Sequence, residues 1–145
     1  MVITAKHHDG FCLWEAPSAV GPGGGKDWHS VARGPRRDLL EEFCEAMRAE
    51  DLCVGFYYSL LEWYNPLYRA DTKGRKRGAR LPPRRQYAEQ VVNAQLRDLV
   101  LRYRPEVIWA DGHWQEEAVY CGAPGWSASG KPAPPLACPG ATTAS

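Results

Sequence analysis

The chain has 145 residues, of which 44% are hydrophobic and 24% charged, and its formal net charge is +1. These values predict a soluble globular domain with a sizeable core and exclude the collagenous, disordered and membrane-spanning classes. A net charge near zero gives no overall attraction to nucleic acid or to an anionic membrane. The five cysteines include no Cys-x-x-Cys pair, which argues against a zinc ribbon and a closed disulfide framework and favours buried thiols.

The N-terminal segment is an apolar run, "MVITA", that predicts a buried strand at residues 2–7. It has no basic region followed by a long apolar stretch, so we expect no signal peptide in this chain. Because few domains begin directly on a core strand, we also expect that upstream elements are missing. The strand runs into "KHHDGF", and the Gly/Pro-rich loop beyond it contains "GPGGGK". That loop lacks the first glycine and the Ser/Thr of a phosphate-binding loop.

A helical period begins near residue 35. In "PRRDLLEEFCEAMRAEDL" the apolar side chains repeat at helical spacing, and Asp38 with Glu41 has the spacing of a capping box. We therefore predict an amphipathic helix over residues 37–50, with a buried face formed by Leu39, Leu40, Phe43 and Met47. The next run, "CVGFYYS", is short, apolar and aromatic, which predicts a strand at residues 53–58 buried on both faces.

The second half of the chain alternates polar and apolar segments. The run "KGRKRGARLPPRR" contains seven Lys or Arg residues. Since no aromatic platform accompanies it, we interpret it as solvated surface and not as a nucleic-acid site. Residues 86–103 predict a helix, "EVIWADGHW" predicts a strand at 106–111, and the Pro/Gly/Ala-rich segment from residue 121 predicts an irregular tail. The apolar stripe of the helix consists of Val92, Leu96, Leu99, Val100 and Tyr103.

The order strand, helix, strand, helix, strand predicts an α/β fold with parallel strand pairing. Parallel strands carry an active site at their carboxyl ends in a (β/α) barrel, and a ligand site there in a doubly wound sheet. The sequence therefore predicts a site at this edge of the sheet, although three strands alone close no barrel. The polar or aromatic strand ends are His7-His8-Asp9, Tyr57-Tyr58-Ser59 and Asp111-Gly112-His113-Trp114.

Asp111 allows two interpretations. It ends a predicted strand and lies between Trp109 and Trp114, so it could be the nucleophile of a glycosyl transfer, with aromatic surfaces to hold a sugar. It could equally be a turn aspartate in front of Gly112.

The paired histidines also allow two interpretations. His7 and His8, together with Asp9, could serve a metal-dependent hydrolase, or a histidine could be buried and satisfied by hydrogen bonds. Adjacent strand residues point to opposite sides of a sheet, which weakens a shared metal site unless the strand has already curled.

Four blocks taken together in order, "VITAKHHDGFCLW", "SVARGPRRDLLEEF", "GFYYSLLEWYNPLY" and "YRPEVIWADGHW", resemble the α-L-fucosidases of glycoside hydrolase family 29, particularly the lysosomal and secreted animal type. The resemblance covers residues 1 to about 117. It implies a (β/α)8 TIM-like barrel, of which residues 1–120 would form about three β/α units, followed by the irregular tail 121–145. It also implies retaining hydrolysis of terminal α-L-fucose from glycoconjugates, without a metal or another cofactor.

The resemblance also implies roles for single residues. Asp111 would be the nucleophile, His7 and His8 would hydrogen-bond the fucose hydroxyls, and Tyr57 would line the sugar pocket with Trp109 beneath it. The partner would be a fucosylated glycan, with no nucleic acid and no membrane, and the full-length family could form homo-oligomers. The location would be lysosomal or secreted.

The chain departs from the family pattern after Glu117. A retaining mechanism needs a second carboxyl about 5 Å from the nucleophile, and the resemblance places that acid/base outside this chain. The carboxylates near strand ends that could replace it are Asp9, Glu62, Glu116 and Glu117. One alternative is therefore a catalytically inactive product that still binds fucose, and another is the metal-dependent hydrolase.

Overall fold

The structure is a computed structural model of the protein, and it describes residues 1–70 and 85–112. Three strands, β1 (Val2–Lys6), β2 (Gly55–Ser59) and β3 (Val107–Asp111), form one sheet in that order, and both pairs are parallel. The predicted α/β fold with parallel strands is confirmed. Most of the basic run and the whole predicted tail lie outside the described residues.

Alternation along the strands gives the sheet two different faces. Phe56 and Tyr58 of β2 point toward the helices and are fully buried. The register of β2 and β3 pairs Tyr57 with Trp109 and Ser59 with Asp111. The opposite side of the sheet, which we call the site face, therefore carries Tyr57, Ser59, Trp109 and Asp111.

The first helix, α1 (Leu39–Ala49), begins as its capping residue dictates. The Asp38 carboxylate accepts a hydrogen bond from the Glu41 backbone N–H at 3.0 Å, so half of the predicted capping box is present. Because Asp38 is the N-cap and keeps an extended backbone, the helix begins two residues later than predicted. Leu39 and Phe43 of the predicted face are half-buried. The fully buried side chains of α1 are Leu40, Cys44 and Met47.

The second helical region consists of α3 (Arg85–Tyr87), a π-helical turn (Ala88–Val92) and α4 (Asn93–Tyr103). The prediction that Val100 belongs to the buried stripe is wrong, since this side chain is 48% exposed. The buried line of α4 runs through Gln95, Leu99 and Tyr103, and Val100 lies about 100° around the helix from Leu99. Gln95 occupies that line because its Oε1 accepts a 2.6 Å hydrogen bond from the Tyr58 hydroxyl.

The hydrophobic core lies between the helix side of the sheet and these helices. Phe56 meets Tyr103 edge to face, with ring centroids 5.8 Å apart. A short helix, α2 (Pro66–Ala70), follows the loop after β2. Among the described cysteines, Cys12 and Cys44 are buried free thiols, as expected, and Cys53 is exposed. Within residues 1–70 and 85–112, no helix combines the length and apolar character that crossing a bilayer requires.

Candidate active site

The histidine pair lies just beyond the end of β1. The strand ends at Lys6, one residue earlier than predicted, and its register is irregular between Thr4 and Lys6. His7 and His8 are therefore free of strand alternation, and their ring centroids are 4.2 Å apart. Gly10 has a φ of +73° and donates its N–H to the His7 carbonyl at 3.0 Å. This is the sharp turn for which glycine is suited.

Tyr57 connects three of the predicted site residues. Its ring stacks on His7 with centroids 5.3 Å apart and meets Trp109 edge to face at 5.8 Å. Its hydroxyl donates a hydrogen bond to Asp111 Oδ2. The predicted convergence of His7, Tyr57 and Asp111 is confirmed. Burial, reinforced by the Asp111 carboxylate, raises the pKa of Tyr57 to about 12, so the phenol stays protonated and remains a donor.

His8 is held on its other side by the next strand. Its Nδ1 lies 2.6 Å from Ser59 Oγ, and its ring meets Trp63 at a centroid distance of 5.7 Å. Burial and the neighbouring His7 lower the pKa of His8 below its usual value of 6.5, although Asp111 acts in the opposite direction. His8 is therefore neutral at pH 7, and a neutral imidazole can both donate and accept a hydrogen bond.

A loop over residues 60–65 joins the ends of the two outer strands. The Leu60 N–H donates to the carbonyl of Asp111, and the Trp63 N–H donates to the carbonyl of His8, both at 2.8 Å. Gly112 has a φ of +93°, and a Cβ at this position would lie 2.6 Å from Leu61 Cγ. The loop thus fixes the backbone of the histidine pair relative to that of Asp111.

The loop is anchored from below by a buried ion pair. Lys6 Nζ lies 2.9 Å from Glu62 Oε2, and both side chains are fully buried. The Tyr87 hydroxyl donates to the same oxygen at 2.8 Å, and Asn65 Nδ2 donates to Oε1 at 3.1 Å. Both Glu62 oxygens are bound to buried partners, which argues against Glu62 as a replacement for the missing acid/base.

The other candidates for the acid/base are Asp9, Glu116 and Glu117. Asp9 Oδ1 accepts the N–H of Phe11 at 3.3 Å and so caps a local turn. Glu116 and Glu117 lie outside the described residues. Over residues 1–70 and 85–112, no three His, Cys, Asp or Glu side chains are grouped so as to hold a metal ion.

Sequence reasoning missed several parts of the site. Ser59 shares a face with Tyr57, and strand alternation could have pointed to it. The partnership of Lys6 and Glu62 spans 56 residues, and no local pattern connects them. Trp63 is 56% exposed beside His8 and had no assigned role.

Known proteins similar to this chain are α-L-fucosidases. A family model described as α-L-fucosidase matches residues 1–133. The tissue α-L-fucosidase of Rattus norvegicus is 41% identical over 115 residues, which are 79% of this chain and 22% of that protein. The chain spans about a quarter of the length of the curated relatives that it matches.

Solved structures similar to this chain are also α-fucosidases. The α-fucosidase of Thermotoga maritima is 36% identical with a TM-score of 0.58, over 80% of this chain and 26% of that one. A family 29 α-L-fucosidase from Bacteroides thetaiotaomicron is 32% identical with a TM-score of 0.57, over 78% of this chain and 24% of that one. The latter structure holds a covalent intermediate, trapped with 2-fluoro-fucosyl fluoride in a glutamate-to-glutamine variant.

Proposed function

The chain belongs to the α-L-fucosidase family, and on that premise we propose that it is the nucleophile-bearing part of a retaining α-L-fucosidase. Such an enzyme hydrolyses terminal α-L-fucose from glycoconjugates. The observation that carries the proposal is the placement of Asp111, which ends β3, accepts a hydrogen bond from Tyr57 and faces the site shared with the histidine pair.

In the proposed reaction, a carboxylate oxygen of Asp111 attacks the anomeric carbon of the fucoside. The bond from that carbon to the glycosidic oxygen breaks, and the leaving oxygen takes a proton from a general acid, which leaves a fucosyl ester on Asp111. Water then attacks the anomeric carbon while the same acid/base removes a proton from the water. The bond from that carbon to the Asp111 oxygen breaks, which frees the carboxylate and releases fucose with retained configuration. In this proposal the acid/base is supplied from outside this chain.

The remaining site residues bind and orient in this proposal. His7 and neutral His8 hydrogen-bond the fucose hydroxyls, and the indole of Trp109 lies beneath the sugar ring. The Tyr57 hydroxyl keeps the Asp111 carboxylate oriented toward the anomeric carbon. The high pKa of Tyr57 supports this role, since the phenol remains a hydrogen-bond donor at neutral pH.

We further propose that residues 1–120 form three β/α units of a (β/α)8 barrel and that residues 121–145 are an irregular tail. The outer strands support this architecture, because Val2 of β1 is 48% exposed and Val107 of β3 is 53% exposed. Further strands would cover such edges in a closed barrel. Similarity to tissue α-L-fucosidases supports a lysosomal or secreted location. We also propose that the whole protein acts as a homo-oligomer.

The test of this function compares two fucosides. With its acid/base absent, the chain should release a burst of dinitrophenol from a dinitrophenyl fucoside, whose leaving group needs no proton, and then hydrolyse the fucosyl ester slowly. It should be about 10²–10⁴-fold slower than a complete enzyme on natural fucosides. Asp111→Asn should abolish the release of dinitrophenol. Efficient hydrolysis of natural fucosides by the chain alone, or an unaffected Asp111→Asn variant, would contradict the proposal.

A second candidate function is fucose binding without catalysis. It is favoured by the engagement of Glu62 in the buried ion pair, because a carboxylate bound in this way is poorly placed to act as an acid/base. The same experiment separates the two functions. A chain that binds fucose but releases no dinitrophenol from the dinitrophenyl fucoside is a binding protein.

A further inference from the structure

The described part of the chain contains four tryptophans in two different situations. Trp14 is fully buried, Trp28 is half-buried, and each donates its indole N–H to a protein oxygen, at 2.8 Å and 3.2 Å respectively. Trp63 and Trp109 are instead 56% and 63% exposed. The two exposed indoles border the candidate site, where Trp63 touches His8 and Trp109 touches Tyr57.

The two exposed indoles approach the cluster from different elements. Trp109 meets Tyr57 from β3, whereas Trp63 meets His8 from the 60–65 loop. His7 and Tyr57 stack on one another between these two contacts. The proposed fucose pocket uses Trp109, so the indole on the His8 side has no assigned partner.

The position of Trp63 is fixed although its side chain is exposed. The backbone N–H of Trp63 donates to the carbonyl of His8. The preceding residue is the fully buried Glu62, which is bound to Lys6 and Asn65. An indole carried on such an anchored loop loses little conformational freedom when a ligand packs on it. Aromatic rings of this kind provide large contact areas to the apolar faces of ligands.

We propose that Trp63 is the platform for the sugar unit to which fucose is attached. The occupant is a hexopyranose such as galactose, whose C–H face would pack on the indole while the fucose unit occupies the pocket at Tyr57 and the histidines. This inference rests on the proposed function and deepens it, because it assigns recognition of a fucosyl disaccharide, and not of fucose alone, to this end of the sheet.

The test measures binding of two ligands by NMR titration of the 145-residue chain. Methyl α-L-fucoside reports the fucose pocket, and α-L-fucosyl-galactose reports both units. We expect the disaccharide to bind about fivefold more tightly than the methyl fucoside. Trp63→Ala should remove this preference, so that the two ligands bind with nearly equal affinity, and Trp63→Phe should keep part of it. Leu101→Ala removes an equally exposed side chain on α4 and is the matched control, with no expected change.

The possible outcomes distinguish failure of the Trp63 platform from failure of the proposed fucosidase function. If the wild-type chain binds methyl fucoside but Trp63→Ala keeps the preference for the disaccharide, the platform is refuted and the fucosidase assignment stands. If Trp63→Ala weakens both ligands equally, Trp63 only supports His8, and the platform is again refuted. If the wild-type chain binds neither ligand, both the fucose pocket and the Trp63 platform are contradicted.

Discussion

The side chains at the strand ends are coupled to one another through short polar and aromatic contacts. Tyr57 touches His7, Trp109 and Asp111, while His8 is held by Ser59. Because parallel strands bring their carboxyl ends to one edge of a sheet, the order of strands and helices was sufficient to predict that His7, Tyr57 and Asp111 meet. The exact rotation of the histidines was not predictable, because it depends on where β1 ends and on the irregular register before Lys6.

The titration of His8 provides the first prediction. Its NMR midpoint should lie below 6.5, because burial and His7 disfavour the imidazolium. Asp111→Asn should lower the midpoint further by removing an anion that favours the imidazolium, and His7→Gln should raise it. A folded pKa below the unfolded one means that His8 contributes stability above pH 6.5, which is lost as the pH falls through the folded value. A midpoint above 6.5 would contradict this account.

The buried ion pair provides the second prediction. Lys6→Met leaves the Glu62 carboxylate buried without its cation, which should lower the free energy of unfolding by about 3–5 kcal/mol in urea titrations. The double variant Lys6→Met/Glu62→Gln removes both charges and should recover much of that loss. A loss below about 1 kcal/mol in the single variant would show that the pair does not anchor the loop.

At the scale of elements, local sequence signals predicted which segments form helices better than they predicted which residues of each helix are buried. The capping pair of α1 was readable because its partners lie three residues apart. The face of α4 was misjudged, since a buried Gln95 that binds Tyr58 and the Pro17 carbonyl replaces an apolar residue on that line. The hydrogen-bond partner of Gln95 lies 37 residues away in the sequence. The spacing of apolar residues therefore cannot indicate that this polar side chain is buried.

The N-cap of α1 provides the third prediction. Asp38 caps Glu41 with one oxygen and accepts the Tyr103 hydroxyl at 2.7 Å with the other, so it also ties α1 to α4. Asp38→Ala should lower the free energy of unfolding by about 2 kcal/mol, whereas Asp38→Asn keeps the capping oxygen and should cost about half as much. Equal losses in the two variants would show that charge, and not capping, matters here.

At the scale of the whole molecule, the described sheet has two outer strands whose far edges pair with no other described strand. Alternating apolar runs and helices predicted parallel pairing, but they could not predict what covers these edges. Val107 and Trp109 of β3 are more than half exposed. Exposed strand edges of this kind promote association between copies of a chain.

This exposure provides the fourth prediction. In sedimentation velocity experiments the chain should associate increasingly with concentration, and Val107→Lys should weaken that association by placing a charge on the edge strand. Leu101→Lys adds the same charge on α4, away from the edge, and should have a much smaller effect. A chain that stays monomeric at high concentration, or two variants with equal effects, would count against an open sheet edge.

The identity of the nucleophile is the central claim, and covalent labelling tests it most directly. The chain is treated with 2-fluoro-fucosyl fluoride, digested and mapped by mass spectrometry, with Asp111→Ala as the matched control. Because fluoride leaves without a proton, labelling needs the nucleophile and the sugar pocket but not the acid/base. We predict one fucosyl ester, on Asp111, that is absent from the variant. A label on another carboxylate, or one that persists in Asp111→Ala, would contradict the assignment.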